Sequence, residues 1–261
     1  MILVAYSAPF AVFRDFSAGY FRPSFPFAPP SAVYGLLLNL AGIEMRGELG
    51  PGTTETRAGL PRFRVASAAS SAAHSKHSFA VSADQRRMPG RAVLFQQLHT
   101  IPVGSSSKER KPLTKGNKHH IAPARRELLT TFRGICAVDA TAEFEERLVA
   151  QIADPDPLQE NGQQRYGVPF LGDNNFFLEE LAIAQPDETP VDWLVVSSEP
   201  EEEDDLLGGN SSGSPEDTFP FRLTLWADRT GMKGTRDAMF ATRPGTLDLI
   251  PEEAWVEVGP A

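Results

Sequence analysis

Between two runs that read as β-strands, RAVLFQQLHTIPV (91–103) and ELLTTFRGICAVD (127–139), lies the stretch GSSSKERKPLTKGNKHHIAPARR (104–126). It is rich in Gly, Ser and Lys and too hydrophilic to enter a core, so any fold of this chain must let it project. Two strands joined by such a tip make a long hairpin. The hairpin is also basic: residues 86–126 hold ten Lys and Arg against one acid, Glu109, with three histidines added.

That stretch belongs to a wider charge split. Residues 1–133 carry 18 Lys and Arg against 7 Asp and Glu, whereas residues 134–261 carry 7 against 27. The net charge of −9 conceals this. An acidic chain with one segregated basic stretch is suited to holding a polyanion at one place while the rest of its surface repels non-specific partners.

At 261 residues the chain can bury a sizeable core. No run of about 18 apolar residues occurs, so no transmembrane helix is expected. The opening MILVAYSAPFAVFRDF lacks a basic lead-in and a small-residue cleavage site and does not read as a secretory signal. The single cysteine, Cys136, lies in the apolar run 134–138 and reads as a buried, inert thiol, which fits a reducing cytoplasm.

Residues 2–13, rich in Val, Ile, Phe and Tyr, read as an opening strand. Four prolines in residues 21–30 rule out regular helix there. Ser31 is placed to cap a helix running to Ala41, with Gly42 as its stop and Val33, Leu36, Leu37 and Leu40 on one face. Residues 60–82 read as one or two strands. Thr141 opens a second helix, with Glu143, Glu145 and Glu146 in its first turn and Phe144, Leu148 and Ile152 on one face. Strands follow at 193–197 and 219–225, separated by the acidic low-complexity segment 199–217, which reads as a disordered loop. The order strand, helix, strands, helix, strand is that of an α+β, ferredoxin-like (RNA-recognition-type) antiparallel sheet with helices on one face. The core is then 1–85 and 127–261, with the basic hairpin, 86–126, inserted as a protruding thumb.

There is no Walker loop, GxGxxG, HExxH or Gly-x-Ser-x-Gly, so nucleotide-driven, zinc-dependent and hydrolase chemistry find no motif, and neither metal nor cofactor is expected. Phosphate contacts are expected from Arg86, Arg87, Arg91, Lys108, Arg110, Lys111, Lys115, Lys118, Arg125 and Arg126. Gln96, Gln97, His99, Asn117, His119 and His120 can add hydrogen bonds to bases or 2′-hydroxyls. Phe21, Phe25, Phe27 and Tyr34 either stack bases or pin the Pro-rich segment to the sheet. A purely solvated basic loop, or one docked on an acidic protein, is the alternative, and Lys118-His119-His120 leaves metal-free RNA cleavage open.

The blocks PSFPFAPPSAVYGLLLNLAG (23–42), FQQLHTIPV (95–103), ARRELLTTFRGICAVD (124–139) and RYGVPFLGDNNFFLEE (165–180) resemble, in the same order, the CRISPR-associated Cas-five family. The resemblance spans roughly residues 1–197. It implies an RNA-binding subunit of a type I CRISPR surveillance complex (Cascade), with a ferredoxin-like domain and a hairpin thumb. Such a subunit holds the 5′ handle of the guide RNA (crRNA) and contacts the large subunit and the first backbone subunit, with target DNA near the PAM as a further possible contact and no membrane involved. It places Arg22, Ser31 and Tyr34 near the handle, with the helix N-terminus facing a phosphate. In one subtype the equivalent subunit is itself the processing endoribonuclease, and the residues here matching its tyrosine, lysine and histidine by type are Tyr34, Lys118 and His119.

Overall fold

One 19-residue strand, β5 (Ile121–Asp139), links every part of the sheet that bears on function. The computed structural model describes residues 1–13, 21–45, 47, 56–70, 90–99, 121–153, 168–172, 175–197, 221–227 and 234–260. Along them the order is β1 (Ile2–Ala11), β2 (Phe21–Arg22), α1 (Pro30–Leu40), β3 (Phe63–Ser70), β4 (Gly90–His99) and β5. Then come α2 (Ala142–Ala153), β6 (Glu180–Ala184), β7 (Pro190–Val196), β8 (Phe221–Trp226), β9 (Arg236–Thr246), a 3₁₀ turn (Glu252–Ala254) and β10 (Val256–Val258). The main path of the sheet is β6-β1-β5-β3-β7-β9-β8, with β10 on β3 and with β2 and β4 on β5. All described pairings are antiparallel except that of β2 with β5.

The C-terminal half of β5 lies between β1 and β3, from Ala11↔Leu129 to Ile2↔Val138 on one side and from Ala69↔Gly134 to Arg64↔Asp139 on the other. Its N-terminal half pairs instead with β4, from Gly90↔Thr130 out to His99↔Ile121. At the joint Thr131 has φ 51°, rare for a β-branched residue, and its Oγ1 donates to the Thr130 carbonyl at 2.7 Å. β5 is thus a core strand at one end and the partner of β4 at the other.

Both helices cover one face of the sheet. Val33, Leu37 and Leu40 of α1 and Phe144, Leu148 and Ile152 of α2 share a core with Val4 and Tyr6 of β1, Val65 of β3 and Phe132, Cys136 and Val138 of β5. Gly134 makes room for Tyr6: a Cβ there would sit 2.5 Å from the Tyr6 ring. The opposite face is rich in alanine (Ala66, Ala68, Ala137) around Trp193 and is closed by Leu247 and Ala254 from the C-terminal segment.

The start of α1 departs from the sequence expectation. Pro29 occupies the N-cap position without a side-chain cap and Pro30 begins the helix, so Ser31 lies inside the first turn and does not cap it. The fixed φ of Pro30 starts the helix without a capping hydroxyl. Its end is as read: Gly42, at φ 66°, and Ile43 return their N–H groups to the Asn39 and Leu38 carbonyls, a Schellman stop. α2 opens on Thr141, whose Oγ1 accepts the Phe144 N–H. Four strands went unread in the sequence: β2, β6, β9 and β10. The acidic segment 199–217 lies outside the described residues.

Candidate nucleic-acid interface

Where the hairpin leaves the core, three strands lie side by side. β2 runs parallel to β5 with Phe21 opposite Arg125 and Arg22 opposite Arg126. On the other edge of β5, Phe95 lies opposite Arg125, Leu94 opposite Arg126 and Val93 opposite Glu127. Because residues directly opposite share a face, this register puts Phe21, Arg91, Val93, Arg125 and Glu127 on one face and Arg22, Leu94 and Arg126 on the other. Arg125 is exposed, Arg22 is half-buried and Arg126 is buried. Arg22 makes no ion pair among the described residues.

Apolar surface accompanies these cations. Phe21, Val93 and Leu94 are 46%, 59% and 44% exposed, unusual for such side chains in a sheet. An aromatic ring and aliphatic groups beside guanidinium forks can engage both the phosphates and the base faces of a single strand.

One acid stands among the arginines. Glu127 is 8% exposed, and its Oε2 accepts the Arg91 guanidinium at 2.8 Å and the Ser24 backbone N–H at 3.0 Å. Ser24 in turn accepts the Phe13 N–H on its Oγ at 2.8 Å, and Phe25 donates its N–H to the Phe13 carbonyl at 2.9 Å. The Pro-rich segment is therefore stitched to the end of β1 on one side and to β5 on the other.

The other residues singled out in the sequence fall into three groups. Gln97 and His99 lie on β4 opposite Pro123 and Ile121, with their side chains outside the described atoms. Arg86, Arg87, Lys108, Arg110, Lys111, Lys115, Lys118 and His119 lie outside the described residues. Tyr34 is a core residue, against the expectation that it faces RNA. It is 1% exposed, its ring packs on Phe63 and Trp226, and its hydroxyl donates to the Pro61 carbonyl at 2.9 Å. Burial holds its phenol well above the ordinary value, which removes it from base catalysis. Phe27 is buried as well, so the Pro-rich aromatics divide: Phe27 pins the segment and Phe21 is presented.

Glu127 escaped the sequence reading. Its one signal was an acid directly after two arginines and before two leucines, at the start of an apolar strand. Among the described residues, no helix is long and apolar enough to cross a membrane, and no three His, Cys, Asp or Glu side chains group as for a metal ion.

Comparison with known proteins places these features. The model of the family described as CRISPR-associated protein (Cas_Cas5) matches residues 1–156. A solved chain described as "CRISPR RNA-guided surveillance complex" has a TM-score of 0.51 at 14% identity, over 94% of this chain and 90% of that one, which is a likeness of fold. Another, "Crystal structure of Cas protein", covers 100% of this chain and 98% of that one at 12% identity, but its TM-score of 0.37 adds nothing to the fold assignment. No curated protein matches the sequence.

Proposed function

The chain belongs to the CRISPR-associated Cas-five family, and from that premise we propose that it holds the 5′ handle of crRNA within a type I Cascade complex in the cytoplasm. The observation that carries this reading is the placing of Arg91 and Arg125 on one face with exposed Phe21 and Val93, where β2, β5 and β4 lie together. Fixed cations position a phosphate backbone and a ring can take a base, so the patch suits a short single strand.

In this reading β6-β1-β5-β3 is a ferredoxin-like sheet. β1 and β3 are both antiparallel to β5, which lies between them, and α1 and α2 make the two crossovers on one face. β4 and the N-terminal half of β5 are proposed as the base of the thumb; the lysines of 108–118 lie outside the described residues. The backbone subunit, the large subunit and target DNA near the PAM are the partners proposed around it. The alternative, a processing endoribonuclease, needs a residue other than Tyr34 as base, because the Tyr34 hydroxyl is buried and engaged.

The test incubates the full chain with a complete repeat RNA in excess chelator and follows binding and cleavage on one gel. Salt-sensitive binding with intact RNA is expected. A discrete cut within the repeat would establish the nuclease instead, and failure to bind any RNA would favour a protein-docking role for the basic stretch.

A further inference from the structure

β2 is only two residues long and lies parallel to β5, too short to hold itself in register by its own ladder. Something else must fix Arg22 and Phe21 beside Arg125. Glu127 reaches β4 and the Pro-rich segment together, through Arg91 and through the Ser24 N–H two residues beyond Arg22. It does so from β5 itself, at the position opposite Val93 and diagonal to Arg91. From Ser24 the linkage continues to Phe13 by two further hydrogen bonds, so the segment is tied on both flanks.

A buried carboxylate amid arginines opposes anion binding by its charge, and its retention here is explained by what it holds. We propose that Glu127 is a positioning residue for RNA: it clamps the Pro-rich segment onto β5 and sets the angle of Arg91, so that Phe21, Arg91 and Arg125 form one surface. This rests on the RNA-binding reading above. The clamp touches no phosphate; it acts through Ser24 and Arg91.

Charge and positioning lead to opposite expectations, which makes the proposal testable. Glu127→Ala removes a negative charge from the patch, and on charge alone the variant would bind repeat RNA more tightly. As a clamp residue its loss should instead weaken binding about tenfold, the scale of one charge-assisted contact. Glu127→Gln keeps an oxygen for the Ser24 N–H, so it should bind within about twofold of the parent chain. Its salt dependence should equal the parent's, because Arg91 and Arg125 present the same cations to the strand.

Hydrogen exchange on the same full-length chains gives the structural half. Protection at the Ser24 and Phe25 amides should disappear in Glu127→Ala and survive in Glu127→Gln, with Val4 and Cys136 protected in both. An alanine variant that binds RNA as well as the parent, or keeps its Ser24 amide protected, overturns the proposal. Loss of protection across β1 and β5 also overturns it, because Glu127 would then serve the whole fold. If the parent chain binds no repeat RNA, the RNA-binding reading falls, and exchange at Ser24 alone still decides for or against the clamp.

Discussion

The hairpin base and the C-terminal part of the sheet use the same residue type to opposite ends. Around β3, β8, β9 and β10 four arginines each meet a carboxylate. Arg62 meets Glu257 at 2.6 Å, Arg64 meets Glu252 at 2.6 Å, Arg222 meets Asp237 at 3.1 Å and Arg243 meets Glu253 at 3.0 Å. Arg64 also lies 5.2 Å over the Trp255 ring. At the hairpin base, Arg91 is bonded to the carboxylate of Glu127, which also takes the Ser24 amide, and Arg22, Arg125 and Arg126 stand at neighbouring positions of β2 and β5. A matched surface pair is a local, salt-screened contact of little consequence for affinity. An excess of cations on one surface is a field that gathers a polyanion. Position relative to acids, and not the number of arginines, separates the two regions.

The largest expected effect tests that separation directly. Arg22→Glu combined with Arg125→Glu should weaken repeat-RNA binding at least about a hundredfold and flatten its salt dependence by about 1.4, for two lost cations on a single strand. Arg62→Glu, the same change in the matched region, should leave affinity within about twofold. Filter binding at several salt concentrations measures both. Equal losses from the two regions would break the comparison, leaving only the protein's overall charge as the determinant.

How much of this could be read in the sequence depends on what each residue answers to. The strands β4 and β5 were legible because their apolar runs flank a mostly polar, basic stretch, although β5 begins at Ile121 and takes Arg125 and Arg126 into the ladder. α2 was legible because Phe144, Leu148 and Ile152 repeat at four and all three are buried. α1 misled, because it is buried on several sides. Tyr34, Leu36 and Leu38 are enclosed as fully as Val33 and Leu37, since β8 and β10 join β3 around it, and a one-face pattern left Tyr34 to the surface. β9 was missed for Pro244 and Gly245. There β9 pairs with β7 alone, for β8 reaches only to Phe240, and a proline is tolerated where one edge has no ladder to feed. The clamp at Glu127 was hidden for a different reason: its partners, Arg91 and Ser24, are 36 and 103 residues away in sequence.

The comparison sharpens if stability and affinity respond to different regions. Gly134→Ala would place a Cβ 2.5 Å from the Tyr6 ring in the helix-covered core. Overpacking of this kind costs about 1–3 kcal/mol, so the denaturation midpoint should fall while RNA affinity of the folded fraction is kept. Arg22→Glu should show the reverse pattern. A smaller effect is expected in the matched region: Arg62→Ala removes an exposed pair with Glu257 and should lower stability by less than about 1 kcal/mol, less again at high salt. Urea titrations at two salt concentrations separate the cases. A salt-insensitive loss well above that figure would mean that the C-terminal arginines hold the fold more firmly than surface pairs do.

The smallest effect at neutral pH concerns the core that both regions share. Burial pushes the Cys136 thiol from 9.0 to about 12, and it raises the phenols of Tyr6 and Tyr34 as well. Each group binds its proton more tightly folded than unfolded. Its contribution to stability is therefore complete below the unfolded value and is lost as pH rises through the folded one. The melting temperature should hardly change up to about pH 8 and should fall between pH 9 and 12, first through Cys136 and then through the tyrosines. Cys136→Ala should remove the earliest part of that fall, and at pH 8 the native thiol should resist alkylation until the chain unfolds. All three groups lie in the helix-covered core, apart from β2 and β4. RNA affinity of the folded protein should accordingly be unchanged from pH 8 to 9.5. A drop in affinity over that interval, with the melting temperature still constant, would place an ionising group at the interface itself.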